Sequence, residues 1–206
     1  VVPVAVNLSS IQFEKGGLVE TVVRALSASQ LEPKLLILEL TESAVMNDPK
    51  AAAVALHALR KIGIGLALDD FGTGYSSLAH LKHFLFDSVK IDRSFVVDIT
   101  SNPEDAAIAT AIIAMAHGLR LKVVAEGVET QGQFNYLRSK SCDEMQGFLF
   151  GPGVPGAEFE DQLRARRRLS LPTPTPAEQR TLLIVDDELG IRSALTRMLR
   201  ADGYRI

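Results

Sequence analysis

Residues 65–77 read Gly-Leu-Ala-Leu-Asp-Asp-Phe-Gly-Thr-Gly-Tyr-Ser-Ser, an apolar run followed by two adjacent acids and a glycine-rich loop. A short apolar run bounded by turn residues is typical of a buried strand. Acids at the carboxyl end of such a strand lie at the edge where α/β proteins bind ligands. The loop at residues 71–77 has neither the Gly-x-Gly-x-x-Gly spacing nor a P-loop lysine. It is either a tight turn that caps the next helix or a functional loop that approaches a phosphate or a neighbouring chain.

Similar apolar runs recur on both sides of this stretch and alternate with segments of helical period, which predicts repeated βα units and a parallel sheet. The predicted strands are Val2–Val6, Leu35–Leu40, Gly65–Leu68, Ser88–Ile91, Lys122–Ala125 and Met145–Phe150. The amphipathic segments between them include Leu18–Leu31, Ala51–Ile62 and Ala106–Leu119. Six units in about 165 residues fall short of an eight-stranded barrel, which needs about 250. We therefore predict an α/β fold, a partial (βα)8 TIM-like barrel of about six βα units, with two further units before Val1.

The helix boundaries also have sequence signals. Asp48-Pro49 and Asn102-Pro103 pair an N-cap residue with a proline, a combination that favours the first turn of a helix. Gly63 and Gly118 lie where the helical period stops, and glycine is common at helix ends. These signals predict where two of the helices begin and end.

The charge changes sign along the chain. Residues 1–162 carry 13 basic and 20 acidic side chains, whereas residues 163–206 carry 9 basic and 5 acidic ones. Between them, three prolines alternate with Thr and Ala at 172–177, which favours an extended spacer. We predict a first domain at residues 1–163, an Arg/Pro-rich linker at 164–179 and a second segment at 180–206.

Composition excludes several classes of protein. The 206 residues are 47% hydrophobic and 23% charged, which is ordinary globular usage rather than that of a disordered or collagen-like chain. No apolar stretch approaches the roughly 20 residues of a membrane helix. The single cysteine, Cys142, cannot form an internal disulfide, so we expect a cytoplasmic protein. The arginines at 164–168 could indicate nucleic acid or membrane contact, but without interleaved aromatics we favour a solvated helix end and predict no nucleic-acid partner.

Each predicted strand carries a polar side chain near its carboxyl end: Asn7, Glu39, Asp69 with Asp70, Lys90, Glu126 and Gln146. Four carboxylates at one rim repel unless cations neutralise them, and oxygen ligands suit Mg²⁺ or Mn²⁺ rather than zinc. Because Asp69 and Asp70 can face different ions, we expect two cations about 3.5–4 Å apart, the usual arrangement for displacement at phosphorus. Lys90 would stabilise developing negative charge, the alternative being an ion pair with one of the acids.

Other reactive side chains receive no functional role. His80 and His83 have i, i+3 spacing, but no third metal ligand is visible, so we expect surface or packing residues. Cys142 lacks a predicted base and is interpreted as an inert thiol.

Six strings of residues, taken together and in order, resemble the EAL family of cyclic di-GMP phosphodiesterases. They lie at residues 6–9 (Val-Asn-Leu-Ser), 39–43 (Glu-Leu-Thr-Glu-Ser), 69–78 (Asp-Asp-Phe-Gly-Thr-Gly-Tyr-Ser-Ser-Leu), 90–92 (Lys-Ile-Asp), 124–130 (Val-Ala-Glu-Gly-Val-Glu-Thr) and 146–150 (Gln-Gly-Phe-Leu-Phe). The resemblance implies a modified (βα)8 barrel that hydrolyses cyclic di-GMP to linear pGpG with Mg²⁺ or Mn²⁺.

The resemblance also implies a role for each matching residue. Asn7, Glu39 and Asp69 would hold one metal, with Asp69 bridging to a second that Asp70 and Glu126 hold; Glu126 is also a candidate base. Lys90 would orient the attacking water, and Gln146 would lie near the substrate pocket. Glu42 would anchor the Asp-Asp-Phe-Gly loop, which in this family contributes to dimer contacts, so a homodimer through the barrel is expected.

The sequence departs from the family pattern at its start. The Glu-Ala-Leu signature, with its metal-binding Glu, and the neighbouring substrate-binding arginine would precede Val1, and residues 146–148 read Gln-Gly-Phe where Gln-Gly-Tyr is usual. We therefore expect an active parent protein and an inactive isolated piece. The alternative is a non-catalytic scaffold that binds cyclic di-GMP or a partner protein.

Beyond the linker, residues 181–188 (Thr-Leu-Leu-Ile-Val-Asp-Asp-Glu) and the helical segment after them resemble the start of a flavodoxin-like response-regulator receiver domain. Asp186 and Asp187 match its Mg²⁺-binding acidic pair, and the phosphoaccepting Asp would lie beyond Ile206. The resemblance implies a histidine kinase as a partner. The alternative is an unrelated helical tail.

Overall fold

Six parallel strands, hydrogen-bonded in chain order, form the sheet of this protein. The computed structural model describes residues 2–14, 16–73 and 84–165. Its strands are β1 (Val4–Leu8), β2 (Leu36–Thr41), β3 (Gly65–Phe71), β4 (Ser88–Ile91), β5 (Lys122–Ala125) and β6 (Glu144–Met145). The α/β prediction is confirmed, because the described sheet is a half-barrel of six parallel strands accompanied by helices.

Among the described residues, helices follow β1, β2, β4, β5 and β6. They are α1 (Ser10–Glu14), α2 (Leu18–Ser29), α3 (Glu42–Met46), α4 (Pro49–Ile62), α5 (Ser94–Val97), α6 (Pro103–Gly118), α7 (Gln131–Ser139) and α8 (Gly156–Arg164), with a 3-10 turn at Pro33–Leu35. The predicted caps are confirmed: Asp48 accepts hydrogen bonds from the first backbone N–H groups of α4, and Asn102 accepts one at the start of α6. Helix α4 ends at Gly63 and α6 at Gly118, as the sequence predicts.

The hydrophobic core is built from the strands and the helices that cover them. Leu40 of β2, Leu66 and Leu68 of β3 and Val89 of β4 are fully buried. They belong to one cluster with residues of α4, α6 and α7, whose members include Leu56, Leu59, Ile113 and Leu137. This packing leaves the polar side chains near the carboxyl ends of the strands as the exception within an apolar sheet, which is the arrangement expected of a βα ligand site.

The last predicted strand is wrong beyond Met145. The chain turns at Gly147, where φ is 157°, and Leu149 donates its N–H to the carbonyl of Val128 at 3.0 Å. A second turn follows, in which Phe150 donates to the carbonyl of Gly147 at 3.0 Å. The apolar residues that suggested a strand are therefore in a turn that packs against the segment after β5.

The chain divides into two compact units, one up to Val154, which holds the sheet, and one from Pro155 onward, of which the structure describes α8. Residues 74–83 with His80 and His83, most of the linker, and residues 180–206 with Asp186 and Asp187 lie outside the described residues. Among the described helices, none has the length and apolar character that crossing a bilayer requires.

Candidate metal centre at the carboxyl edge

Five neighbouring strands bring their polar side chains to one edge of the sheet, which we call the carboxyl edge because the strands end there. Asn7 of β1 is in register with Glu39 of β2. Lys90 is the third residue of β4, and Glu126 directly follows β5, donating its N–H to the carbonyl of Ile91 at 3.2 Å. Because parallel strands end on the same side, these side chains meet at one edge although each belongs to a different strand.

Asp69 and Asp70 reach the same site through an irregularity in β3. Successive strand residues ordinarily point to opposite faces of a sheet. The pairing of β3 with β4 shifts between Leu68 and Phe71, and Asp70 has a φ of 55°, in the left-handed region. One carboxylate oxygen from each of Asp69, Asp70 and Glu126 lies within 4.8 Å of the others. The bulge thus brings both adjacent acids to the same site as Glu126.

Lys90 lies at the centre of these acids. Its Nζ is 2.6 Å from Glu126 Oε1, 2.7 Å from Glu39 Oε2 and 3.3 Å from Asp69 Oδ1. The Lys90 side chain is only 5% exposed. Of the two alternatives for Lys90, the ion pair is therefore present, but with three acids instead of one. A buried ammonium shared by three carboxylates is held in a fixed position, which a solvent-exposed lysine is not.

The electrostatics indicate an excess of negative charge. Burial by itself lowers the pKa of Lys90, but its hydrogen bonds to Glu126 and Glu39 raise that pKa above the ordinary value, and the charges of Glu126 and Asp69 add to this effect. Burial raises the pKa of Glu126 despite the opposing effect of Lys90, and it also raises the pKa of Asp70, helped by the charge of Asp69. Four carboxylates, those of Glu39, Asp69, Asp70 and Glu126, surround a single lysine, so a further cation would be stabilised there.

Asn7 supplies a test of whether a metal fits. One end of its side-chain amide lies 3.3 Å from both Asp69 Oδ2 and Glu39 Oε2. With the nitrogen at that end, Asn7 donates a hydrogen bond to each acid; with the oxygen there, it faces acceptors alone. In the orientation with the oxygen at that end, one amide oxygen and several carboxylate oxygens converge. This is the ligand set of a hard divalent cation, so the residues present fit Mg²⁺ or Mn²⁺.

Glu42 and Gln146 lie beside this cluster in the chain but make different contacts. Glu42, the first residue of α3, is 3% exposed, and its Oε2 accepts a hydrogen bond from the Gly72 N–H at 3.2 Å. Its Oε1 is buried without a hydrogen-bond partner among the described atoms. Gln146 follows β6; its backbone donates to Ala125 and accepts from Val128, while its side chain is exposed.

Three further charged residues near this edge, Asp92, Arg93 and Glu129, have no role predicted from the sequence. The charge of Asp92 contributes to the raised pKa of Asp70, and Arg93 forms an ion pair with Glu129 at 2.8 Å. All three lie within four residues of a strand's carboxyl end. Their position beyond Lys90 and Glu126 was a signal that could have identified them.

Cys142 and His117, which lie outside the site, have structural surroundings. Cys142 is buried, and burial raises the pKa of its thiol to about 11, which agrees with an inert cysteine. His117, at the end of α6, is 2.9 Å from Asp143 Oδ2.

Comparison with known proteins adds to this geometry. The family model described as the EAL domain matches residues 1–153. Two similar proteins come from Pseudomonas aeruginosa. The bifunctional diguanylate cyclase/cyclic di-GMP phosphodiesterase MucR is 48% identical over 76% of this chain and 23% of its own length. The cyclic di-GMP phosphodiesterase NbdA is 47% identical over 80% of this chain and 21% of its own length. The chain thus spans less than a quarter of the length of these relatives.

Solved structures agree with the sequence matches. The PaMucR phosphodiesterase in complex with c-di-GMP has a TM-score of 0.74 and 47% identity, over 76% of this chain and 64% of that one. The Klebsiella pneumoniae BlrP1 complex with manganese and c-di-GMP at pH 9.0 has a TM-score of 0.68 and 35% identity, over 73% of this chain and 38% of that one.

Proposed function

Since this chain belongs to the EAL domain family, we propose that the protein containing it hydrolyses cyclic di-GMP to linear pGpG with the help of divalent cations. The observation that carries the proposal is the convergence of Asn7, Glu39, Asp69, Asp70 and Glu126 around Lys90 at one edge of the sheet. The phosphodiesterase names of MucR and NbdA and the cyclic di-GMP complexes of MucR and BlrP1 support the choice of substrate.

Two cations, Mg²⁺ or Mn²⁺, would be held by the oxygen ligands of the carboxyl edge. Asn7, Glu39 and Asp69 would hold one of them, and Asp70 and Glu126 the other, with Asp69 shared. When bound, the cations supply Lewis-acid polarisation of the phosphodiester. The manganese complex of BlrP1 supports a divalent metal.

The chain's own groups would direct the water and the substrate. Hydrolysis joins a water oxygen to phosphorus, breaks one P–O bond to ribose and leaves a proton on the departing oxygen. Lys90, fixed by three carboxylates, would orient the water and stabilise negative charge on the phosphate oxygens. Glu126, 2.6 Å from Lys90, is the candidate base that takes the proton from the water.

Glu42 and Gln146 would have supporting roles. The hydrogen bond from Gly72 to Glu42 supports a role for Glu42 as anchor of the loop after Asp69 and Asp70. The exposed side chain of Gln146 is available to a substrate at the same edge.

We extend the proposal to the organisation of the parent protein. Residues 1–163 would be part of a (βα)8 barrel, and residues 164–179 would be the linker. Residues 180–206 would begin a receiver domain with Asp186 and Asp187 as its acidic pair and a histidine kinase as its partner. A homodimer through the barrel and a cytoplasmic location complete the proposal; these parts rest on the sequence.

The test is turnover of cyclic di-GMP by the full-length protein, followed by chromatography of the products. We expect linear pGpG in the presence of Mg²⁺ or Mn²⁺ and none in EDTA. Asp69→Asn should lower kcat by about 10³-fold, because it removes a ligand that two cations would share. Glu144→Gln, which changes an exposed acid of β6, is the matched control and should leave turnover unchanged. Full turnover by Asp69→Asn, or binding of cyclic di-GMP without hydrolysis, would refute the enzymatic proposal.

A further inference from the structure

Gln133 is a buried residue whose side-chain oxygen and nitrogen both form hydrogen bonds with backbone groups. It lies in the first turn of α7 and is 4% exposed. Its Oε1 accepts hydrogen bonds from the backbone N–H groups of Glu129 at 2.7 Å and Thr130 at 2.8 Å. Its Nε2 donates to the carbonyl of Val97 at 2.9 Å. Part of this arrangement is a capping box, but the bond to Val97 leaves the helix and reaches another element.

These hydrogen bonds join two of the segments that leave the candidate metal centre. Val97 ends α5, which follows β4 and therefore Lys90. Glu129 and Thr130 end the segment 126–130, which we call the Glu126 loop and which begins at Glu126 itself. Gln133 thus links the segment after Lys90 with the segment after Glu126. The charged atoms of these two residues, Lys90 Nζ and Glu126 Oε1, are 2.6 Å apart.

The rest of the Glu126 loop is held by backbone hydrogen bonds, by packing and by the ion pair between Glu129 and Arg93 at 2.8 Å. Glu126 donates its N–H to Ile91, and Val128 donates to Gln146 at 3.0 Å. Gly127 lies under the side chain of Arg93, so close that a Cβ at this position would be 2.3 Å from Arg93 Cγ. Gln133 therefore holds the backbone N–H groups at the far end of a loop that is fixed at its beginning and middle.

We propose that Gln133 is a positioning residue for Glu126, which it holds at the distance from Lys90 that the metal centre requires. The inference rests on the proposed function. Without the Gln133 amide, the N–H groups of Glu129 and Thr130 lose their buried acceptor, and the loop would shift toward water to satisfy them. A shift of about 1 Å at a reacting group can cost about 10²-fold in rate.

The experiment compares Gln133→Met with Asp143→Ala in the full-length protein. Methionine keeps the length and volume of the side chain but cannot replace the amide. Asp143 is a matched control, because its Oδ2 accepts the Val123 N–H at 2.8 Å near the opposite end of β5. Both variants remove a side-chain acceptor of backbone N–H groups beside β5, and both should lower the melting temperature.

The two variants should differ in Mn²⁺ binding and turnover. For Gln133→Met we expect about tenfold weaker Mn²⁺ binding, measured by electron paramagnetic resonance without substrate, and kcat lowered about 10- to 100-fold with KM within about threefold. Asp143→Ala should match the wild type in both measurements. If Gln133→Met does not fold, Gln133→Asn, which is one methylene shorter, should show the same losses.

Two results would overturn the role of Gln133. One is Mn²⁺ affinity and kcat within twofold of the wild type in a folded Gln133 variant. The other is an equal loss in Asp143→Ala, which would assign Gln133 to general stability. Failure of the proposed function is a separate result: a wild-type protein that binds Mn²⁺ but does not hydrolyse cyclic di-GMP refutes the activity, while the Mn²⁺ comparison still tests Gln133.

Discussion

The positive charge of Lys90 lies among three carboxylates, so substitution of this residue should change the stability of the protein. In Lys90→Met, the side chains of Glu39, Asp69 and Glu126 lose the cation they share. Removing one partner of a buried ion pair costs about 3–5 kcal/mol. We therefore expect the free energy of unfolding in EDTA to fall by about 3 kcal/mol, measured by urea denaturation. Mn²⁺ should restore part of this loss, because the three carboxylates that lost the lysine attract a cation.

Lys122→Met is the control for this prediction. Lys122 is 67% exposed and pairs with the exposed Glu144, so its loss should change stability by less than about 1 kcal/mol. If Lys90→Met and the wild type had the same unfolding free energy in EDTA, the three ion pairs of Lys90 would not stabilise this protein.

At the same scale, residue types in the sequence could predict most of the candidate site, since a polar side chain after an apolar run marks a strand's carboxyl end. They could not predict the φ of 55° at Asp70, because a bulge depends on how β3 pairs with β4. Gln133 was missed for a similar reason. Its partner Val97 is 36 residues away, and nothing in the local pattern indicates that contact.

At the scale of the elements, two segments of backbone meet where β5 and β6 end. A Cβ on Gly147 would be 2.2 Å from the carbonyl oxygen of Val128 and 2.3 Å from its nitrogen. Backbone atoms cannot yield as the end of a flexible side chain can, so Gly147→Ala should destabilise the protein by about 1–3 kcal/mol or more. Gly153→Ala, where a Cβ meets nothing within 4 Å, should be neutral. Urea denaturation of the two variants checks the prediction, and equal stability would contradict it.

Asp143 connects the end of α6 with the beginnings of β5 and β6. Burial by itself raises the pKa of this carboxyl, but hydrogen bonds from His117 and from the Val123 N–H lower it below its ordinary value. A carboxyl whose pKa is lower in the folded state than in the unfolded state stabilises the protein at pH values above its unfolded pKa of about 3.9. This stabilisation is lost as the pH falls through the pKa of the folded state.

This sign gives a pH-dependent prediction. Asp143→Asn should be less stable than the wild type at pH 7, and the difference should shrink as the pH falls below about 4, where the wild-type carboxyl also becomes neutral. Urea denaturation at both pH values measures it. A difference that stayed constant, or grew, toward low pH would show that the carboxylate form is not the stabilising one.

The elements themselves were largely predictable from periodicity and caps. The strand Ser88–Ile91 and the strand Lys122–Ala125 have the predicted bounds, and proline at the first position of α4 and α6 marked their starts. The end of the sheet was not predictable in this way, because residues 147–150 form a turn against Val128 rather than a strand. Hydrophobicity indicates burial, and a short apolar run leaves the backbone conformation open.

At the scale of the whole molecule, the cluster of like charges couples ligand binding to folding. The unfolded chain separates Asp69 and Glu126 by more than fifty residues, whereas the folded chain brings their carboxylates within 4.8 Å of each other. A cation that binds this cluster therefore binds the folded state in preference to the unfolded one. Mass action predicts that such a ligand stabilises the fold by about 2.7 kcal/mol at 100 times its Kd.

We accordingly expect Mn²⁺ to raise the melting temperature of the wild-type protein above its value in EDTA, in a manner that depends on metal concentration. Asp70→Asn should reduce this increase, since it removes one of the three clustered carboxylates, and should leave the protein folded, because Asp70 is not in the hydrophobic core. Glu144→Gln should keep the full increase. Calorimetric scans at several Mn²⁺ concentrations measure all three proteins, and an equal increase in Asp70→Asn would place the stabilising cation elsewhere on the molecule.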